Sequence, residues 1–468
     1  MSKILKQEGL PGIGGTELSP ELMLHIGRAA AQSLGRASKH PPVFYIAHEP
    51  RRAAEALEAA LCAGICSGGG NVHCLGVLPS SALSLMLSAE DAEAGIAIAG
   101  GSMPYARICV QFYARSGLPM SAEQLDSIAA LMAPEKALPL RSHQNIGRIF
   151  REEDAAARYL RLLLTRLSSP ELPRAGARKL KIAVDCANGA ASAAAEKLLT
   201  ELGAEVFCIR RTPDGMNINE ECGADDLRGL IRCVKDNGCD AGFALDGGGG
   251  RCIAVDSMGE MLDGDRLLAI LCADRLARQK ADAALPRTES MQNGVAVTHL
   301  TNIGFLRYAN AQEIPLHITQ SAPEFVLATM RGQGLSLGGD STGSLYFSDM
   351  PAADGLVTAG RILRVMQRTE KPLSELGAVM EHDPQVRVSV RIPQKWREIW
   401  KNDPQISETI AQTAESLGMD GRVHVRERSE GAVIDILLEG RDFKRINQYA
   451  VEIADVIGQR VRDTEAEL

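Results

Sequence analysis

The stretch "LKIAVDCANGAASAAAEKLLTELGAEVFCIR", residues 180–210, decides the fold class. An apolar, β-branched run enters a turn, an alanine-rich helix follows, and a second β-rich run closes it. That is a βαβ unit in about thirty residues. "CDAGFALD" (239–246) adds a further strand, and the chain then turns through "ALDGGGGRCIAVD" (244–256). Four glycines there separate two apolar runs. A phosphate-wrapping glycine loop opens into a helix whose N-terminus faces the anion. "RCIAVD" is instead apolar and β-branched and is followed by the turn "SMGE", so the stretch reads as strand, glycine hairpin, strand.

The same alternation extends to both sides. Before it come the strand "PVFYIAHE", the helix "PRRAAEALEAALCAGICSGG", the strands "NVHCLGVL", "EAGIAIAGG" and "ICVQFYAR", and the helix "EDAAARYLRLLLTRL". The polar, proline-containing "SSPELPRAGARK" (168–179) reads as a linker. After the hairpin, the helix "GDRLLAILCADRLARQK" leads through "GVAVTHL", "IPLHITQ" and "GLSLGGD" to the helix "DGLVTAGRILRVMQRT". "EKPLSELG" bridges to a piece of different texture, with strands "QVRVSVRI" and "AVIDILLEG" and two helices. Repeated βαβ units followed by a smaller α+β unit make an α/β multidomain protein. The expected domains are 1–152, 153–256 and 257–372, all α/β, and a C-terminal α+β domain, 373–468.

The 468 residues are too many for one core. With 51 Lys and Arg against 59 Asp and Glu and no basic block, nucleic acid is excluded as the main partner. No apolar stretch reaches the roughly 20 residues of a membrane span, and "MSKILKQEGLPGIGG" has no apolar signal core, so a cytoplasmic protein is expected. Eleven cysteines are scattered along the chain; Cys62, Cys66 and Cys74 lack a second pair at zinc spacing and read as small buried thiols.

"DCANGAASAAAEKLLTELGAEVFCI", "PDGMNINEECG", "KPLSEL", "GRVHVRERS" and the closing helix resemble the α-D-phosphohexomutase family, and within it the bacterial phosphoglucosamine mutases. The likeness is collinear from about residue 10 to about residue 462. It implies four domains around a central cleft, the first three related and the fourth a small sheet with helices. It also implies a serine that carries a phosphoryl group, a magnesium ion beside it, a sugar-recognition loop and a phosphate-binding loop.

Each of those loops departs from the family pattern. The serine loop S-A-S-H-N-P is "AGGSMP" here: Pro104 aligns, the nucleophile position is Gly101, and Ser102 is the nearest candidate catalytic hydroxyl. The metal loop D-G-D-G-D-R is "DGGGGR", leaving Asp246 and Arg251, with Gly248 and Gly250 where carboxylates would be. Magnesium needs several hard oxygens, so Asp246 is a remnant. "LDGDRL" (262–267) has carboxylates but aligns where the family starts a helix, so capping is expected. The sugar loop G-E-x-S-G-H becomes "GGDSTGSLYF", with Asp340 and Thr342 as candidate substrate contacts. The phosphate loop R-P-S-G-T-E-P becomes "RERSEGA", which retains Arg426 and sets Glu430 where a dianion would dock. "TQSAPEFV" places Gln320 and Glu324 at the family's lysine and arginine, and "HEPRRA" keeps Arg51.

Losses at every functional loop, with the packing segments retained, point to a scaffold without its catalysis. The expectation is a catalytically inactive member that binds a phosphosugar or a protein, as a homodimer or a heterodimer with an active paralogue, and needs no cofactor. The alternatives are a divergent mutase, moving phosphoryl groups between the 1 and 6 positions of a hexose phosphate with magnesium, and a sugar-phosphate or nucleotide sensor module.

Overall fold

Short apolar strands that end in glycine- or aspartate-bearing turns recur along the chain, and three of these recurrences fold alike. The computed structural model describes residues 5–35, 40–132, 138–168, 178–281, 287–397, 399–427 and 432–466. In the first repeat Val43–His48, Asn71–Val77 and Ala94–Ala99 are parallel, and Arg107–Ala114 returns antiparallel on the third. In the second, Lys181–Asp185, Glu205–Ile209 and Ala241–Leu245 are parallel and Cys252–Asp256 returns. In the third, Val295–Thr298, Leu316–Thr319 and Leu337–Gly339 are parallel and Leu345–Phe347 returns. All three sheets run in the order return strand, third, first, second. The chain is therefore three related α/β domains followed by an α+β domain.

This order places function. The turn joining the third strand to its return strand leaves the carboxyl end of the parallel sheet, where α/β folds bind ligands. Those turns are residues 100–106, 246–251 and 340–344. They are the serine, metal and sugar loops of the sequence comparison, now seen as one structural position used three times. Ala94–Ala99 and Ala241–Leu245 are buried along their whole length, which is why they read as unbroken apolar runs.

By contact density the chain divides into Met1–Leu300 with Ile314–Val379, and Thr301–Glu313 with Met380–Leu468. Inside the first unit, Asp354 binds segments from distant parts of the sequence. Its Oδ1 accepts from the N–H groups of Leu356 and Val357 at 2.9 and 3.1 Å, capping the helix Gly355–Thr369. Its Oδ2 accepts from Ser81 Oγ at 2.7 Å and Tyr159 Oη at 2.6 Å. The carboxylate is fully buried, and its four donors come from three helices.

The second unit is an antiparallel sheet in the order Gln385–Arg391, Val433–Gly440, Gly421–Glu427, packed on the helix Phe443–Ala466 through Ile434, Ile436, Ile446 and Ile453. Residues 301–313, placed in the third domain by the sequence reading, group with it. Asn302 accounts for this: its Oδ1 caps the helix Ile303–Ala311 at Gly304 N, and its Nδ2 donates to Asp383 O at 3.0 Å. A Cβ on Gly304 would lie 1.8 Å from Glu381 O, so only glycine fits.

Several elements were not read from the sequence. Gly421–Glu427 is a strand, although "GRVHVRE" interleaves charges with apolar residues, and "EKPLSELG" contains the short helix Leu373–Gly377. Most of the expected linker, 169–177, lies outside the described residues. Capping by "LDGDRL" holds, since Asp263 Oδ1 accepts from Arg266 N at 3.0 Å where the helix Gly264–Ala281 begins. No helix among the described residues is long and apolar enough to cross a membrane.

Replacing Asp354 by alanine removes a cap and strands two buried hydroxyl donors, so it should cost about 3 kcal/mol in urea unfolding. Asp354→Asn, which can still cap, should lose about half as much. Equal losses would show that the cap contributes nothing.

Candidate functional site

The strand Val43–His48 ends by delivering Glu49 and Arg51 beneath the 100–106 turn. Both are almost completely buried, at 1% and 2% exposure. Arg51 Nε donates to Glu49 Oε2 at 2.6 Å. One terminal nitrogen donates to Pro104 O and Arg107 O, the other to Gly101 O and Met103 O, at 2.6 to 3.1 Å. Glu49 Oε1 accepts from Gly101 N at 2.8 Å. The turn is thus wrapped around one ion pair. Burial pushes the Glu49 carboxyl up, against the pull of Arg51 and of the Gly100 and Gly101 N–H groups.

Gly101 sits at φ +55°, in the left-handed region, and a Cβ there would point to 3.5 Å from Asp246 Oδ2. The position that lacks a hydroxyl is the one aimed at the remaining acid of the second loop. Ser102 is exposed at the rim of the turn.

Asn219 links the two turns. Its Nδ2 donates to Gly101 O at 2.8 Å, and its Oδ1 accepts from Gly247 N at 2.8 Å. Asp246 is 5% exposed; its Oδ1 accepts from Arg251 N at 3.0 Å, and Oδ2 lies 3.8 Å from Arg251 Nε. Arg251 also donates to Asp225 at 2.6 Å. A Cβ on Gly248 would stand 3.1 Å from Glu49 Oε1 and 3.5 Å from Asp246 Oδ2, whereas one on Gly250 would meet only Ala353 O, at 3.9 Å.

These donors do not fit magnesium. Asp246 shares its oxygens with Arg251, Glu49 is committed to Arg51 and Gly101, and Gly248 and Gly250 bring no carboxylate to the turn. Magnesium loses its waters reluctantly and takes near-octahedral hard oxygens. Among the described residues no three or more His, Cys, Asp or Glu are arranged to hold a metal ion. Cys62, Cys66 and Cys74 lie in the core of the first domain, with the Cys62 and Cys74 sulfurs 3.5 Å apart.

In the third turn Asp340 Oδ1 accepts from Thr342 N, Thr342 Oγ1 and Ser344 N at 2.9, 2.6 and 3.2 Å. The two candidate contacts therefore hold each other, with Thr342 exposed. Burial pushes the Asp340 carboxyl up, and those bonds and Arg251 oppose it. The structure gathers Asp246, Asp340 and Thr342 with Ser102 on the equivalent turns of the first unit. Arg426 lies in the second unit, on Gly421–Glu427 opposite Asp435. Arg428, Ser429 and Glu430 are outside the described residues.

Glu49 and Asn219 were missed from sequence. "HEPRRA" shows an acid two residues before Arg51 at a strand end, which was the available signal for Glu49. Asn219 carries none: its left-handed backbone, φ +60°, and its reach across domains exist only in the fold.

Models of the phosphoglucomutase/phosphomannomutase family match the chain as alpha/beta/alpha domain I over residues 2–138, domain II over 157–259 and domain III over 263–382. A phosphoglucosamine mutase of Clostridium perfringens is 34% identical over 462 residues, covering 98% of this chain and 99% of that one. Two solved structures share the fold. A phosphoglucomutase/phosphomannomutase family protein from Burkholderia thailandensis has a TM-score of 0.77 at 19% identity, covering 98% of this chain and 97% of its own. Aspergillus fumigatus N-acetylphosphoglucosamine mutase in complex with GlcNAc-6P and magnesium has 0.62 at 13% identity, covering 90% and 83%.

Arg51→Met should cost about 3–5 kcal/mol in chemical denaturation, because it leaves Glu49 buried without its partner. Replacing both, Glu49→Leu with Arg51→Met, should cost less than the sum of the single losses. Additive losses would mean that the pair is not the unit that holds the turn.

Proposed function

This chain is a member of the phosphoglucomutase/phosphomannomutase family, and we propose that it binds a phosphosugar there without carrying a phosphoryl group on a serine of its own. One observation carries the reading: the residue aimed at Asp246 is Gly101. Phosphoryl transfer depends on an oxygen held in line and on fixed charge around it. Glycine offers no side-chain hydroxyl, Ser102 is one residue away and exposed, and the turn lacks the acids that would hold magnesium. What persists is the capacity to bind. The Arg51–Glu49 pair fixes the first turn, Arg251 stands beside Asp246, and the Asp340–Thr342 turn keeps a hydroxyl at the surface.

A second reading, a divergent mutase that uses Ser102, draws on different support. The relatives that resemble this chain over nearly its whole length are named as mutases, and the Aspergillus protein is described with GlcNAc-6P and magnesium. That likeness weighs for the second reading and gives none to an inactive role. The weight for the first comes from the site residues alone.

The two readings part on activity. The purified protein should not interconvert the 1- and 6-phosphates of glucosamine, glucose or mannose in a coupled assay. Turnover that disappears in Ser102→Ala would establish the second reading in place of the first.

Restoring Gly101→Ser, Gly248→Asp and Gly250→Asp tests the geometry itself. Serine at φ +55° should cost about 1–2 kcal/mol, and the new aspartate at 248 would face Glu49 and Asp246. The triple variant should therefore melt lower than the parent and regain stability on adding magnesium, while the parent's melting temperature stays unchanged by the ion. A parent protein stabilised by magnesium at micromolar concentration would overturn the donor-set argument.

A further inference from the structure

Away from the three turns, the helical layer of the first unit borders an open pocket of about 130 Å³ that is lined by arginine. Arg361, Arg364 and Arg368 share one face of Gly355–Thr369, and Arg275 and Arg278 share one face of Gly264–Ala281. Arg166 adds a sixth from the end of Ala155–Leu167, against only three carboxylates in the lining.

Those three carboxylates are already engaged. Asp349 accepts twice from Arg361, at 2.8 and 2.7 Å, and the Arg361 guanidinium also stacks 4.0 Å over the Phe347 ring. Glu289 pairs with Arg278 and Asp274 with Arg368. Arg275 forms no ion pair among the described residues, although it is only 3% exposed. One of its terminal nitrogens donates to Ser336 Oγ at 2.7 Å, and Ser336 in turn donates to Ser290 O at 2.5 Å. The other terminal nitrogen is buried without a partner. Arg364 likewise has a buried Nε without a partner, while its Nη1 donates to Gln367 at 3.0 Å.

A guanidinium held dry with an unused donor is costly unless an anion completes it. Burial and the charge of Arg361 pull the Arg275 pKa down to about 10, against the weaker attraction of Glu289 and Asp349, and a bound anion would relieve that cost. The volume equals roughly four waters, room for one tetrahedral oxyanion. We infer that this pocket is a binding site for a phosphate group, supplied as the free ion or as the terminal phosphate of a small metabolite, with Arg275 and Arg364 giving the unpaired donors. Planar forks of N–H groups converging on one point are the usual recognition of phosphate by arginine. The site is separate from the serine, metal and sugar turns and does not depend on either functional reading.

The test is titration calorimetry on the full chain with inorganic phosphate and, separately, glycerol phosphate, against chloride at equal ionic strength. Phosphate should bind at millimolar concentration or below, and both Arg275→Gln and Arg364→Gln should weaken it at least about tenfold. Tighter binding of the ion would point to the free form, tighter binding of the ester to a terminal phosphate. Because Arg275→Gln could fail to fold, the unaltered protein is also treated with phenylglyoxal and its modified arginines mapped by mass spectrometry. Phosphate should protect Arg278 and Arg364. Absence of binding, binding lost in Arg426→Gln but kept in Arg275→Gln, or no protection of Arg278 and Arg364 would each overturn the assignment.

Discussion

The guanidinium of Arg51 is spent entirely inside the protein. Its Nε holds Glu49, and its terminal nitrogens hold the carbonyls of Gly101, Met103, Pro104 and Arg107. Neither member of the pair can be lost alone, because each would leave the other charged and dry. The shape of the first turn therefore comes from Arg51 and Glu49 and from backbone groups, not from the side chain at its apex. That is why the turn can survive with glycine at 101: the support and the chemistry are separate sets of atoms. Asn219 extends the same logic across domains, fixing the Gly101 carbonyl and the Gly247 amide with one amide side chain.

A second constraint is topological. Three domains with one strand order present three hairpin turns from the equivalent carboxyl ends of their sheets, so a functional loop in one has a counterpart in the others. Asp354 joins helices from the first, second and third domains through four buried hydrogen bonds. Substitutions confined to the turns leave these bonds untouched. A chain can keep family-level likeness along nearly its whole length while the acids and hydroxyls of its turns change, and the Clostridium perfringens relative is similar to this chain at that level.

Much was legible in the sequence. The βαβ periods and the glycine hairpin follow from residue type and spacing, because backbone preference and burial pattern act over a few residues, whereas the cap at Asp263 and the places of Gly101, Gly248 and Gly250 were legible through the family resemblance. The strand Gly421–Glu427 escaped because its alternating charges look like a solvated turn until a neighbouring strand pairs with it. Asp340 and Thr342 were legible as polar residues on a loop, but not as bonded to each other.

Sequence alone determined which atoms are available: no hydroxyl at 101, one carboxylate in the hairpin, and arginines at helical spacing in "GRILRVMQR". Only the tertiary structure decided which of those atoms meet. That Gly101 faces Asp246, that Arg51 reaches the carbonyls of the 100–106 turn, and that Arg275 is buried beside arginines with a donor left over are facts about segments far apart in the chain. Their juxtaposition depends on packing and dehydration, which act on distances that the order of residues does not contain.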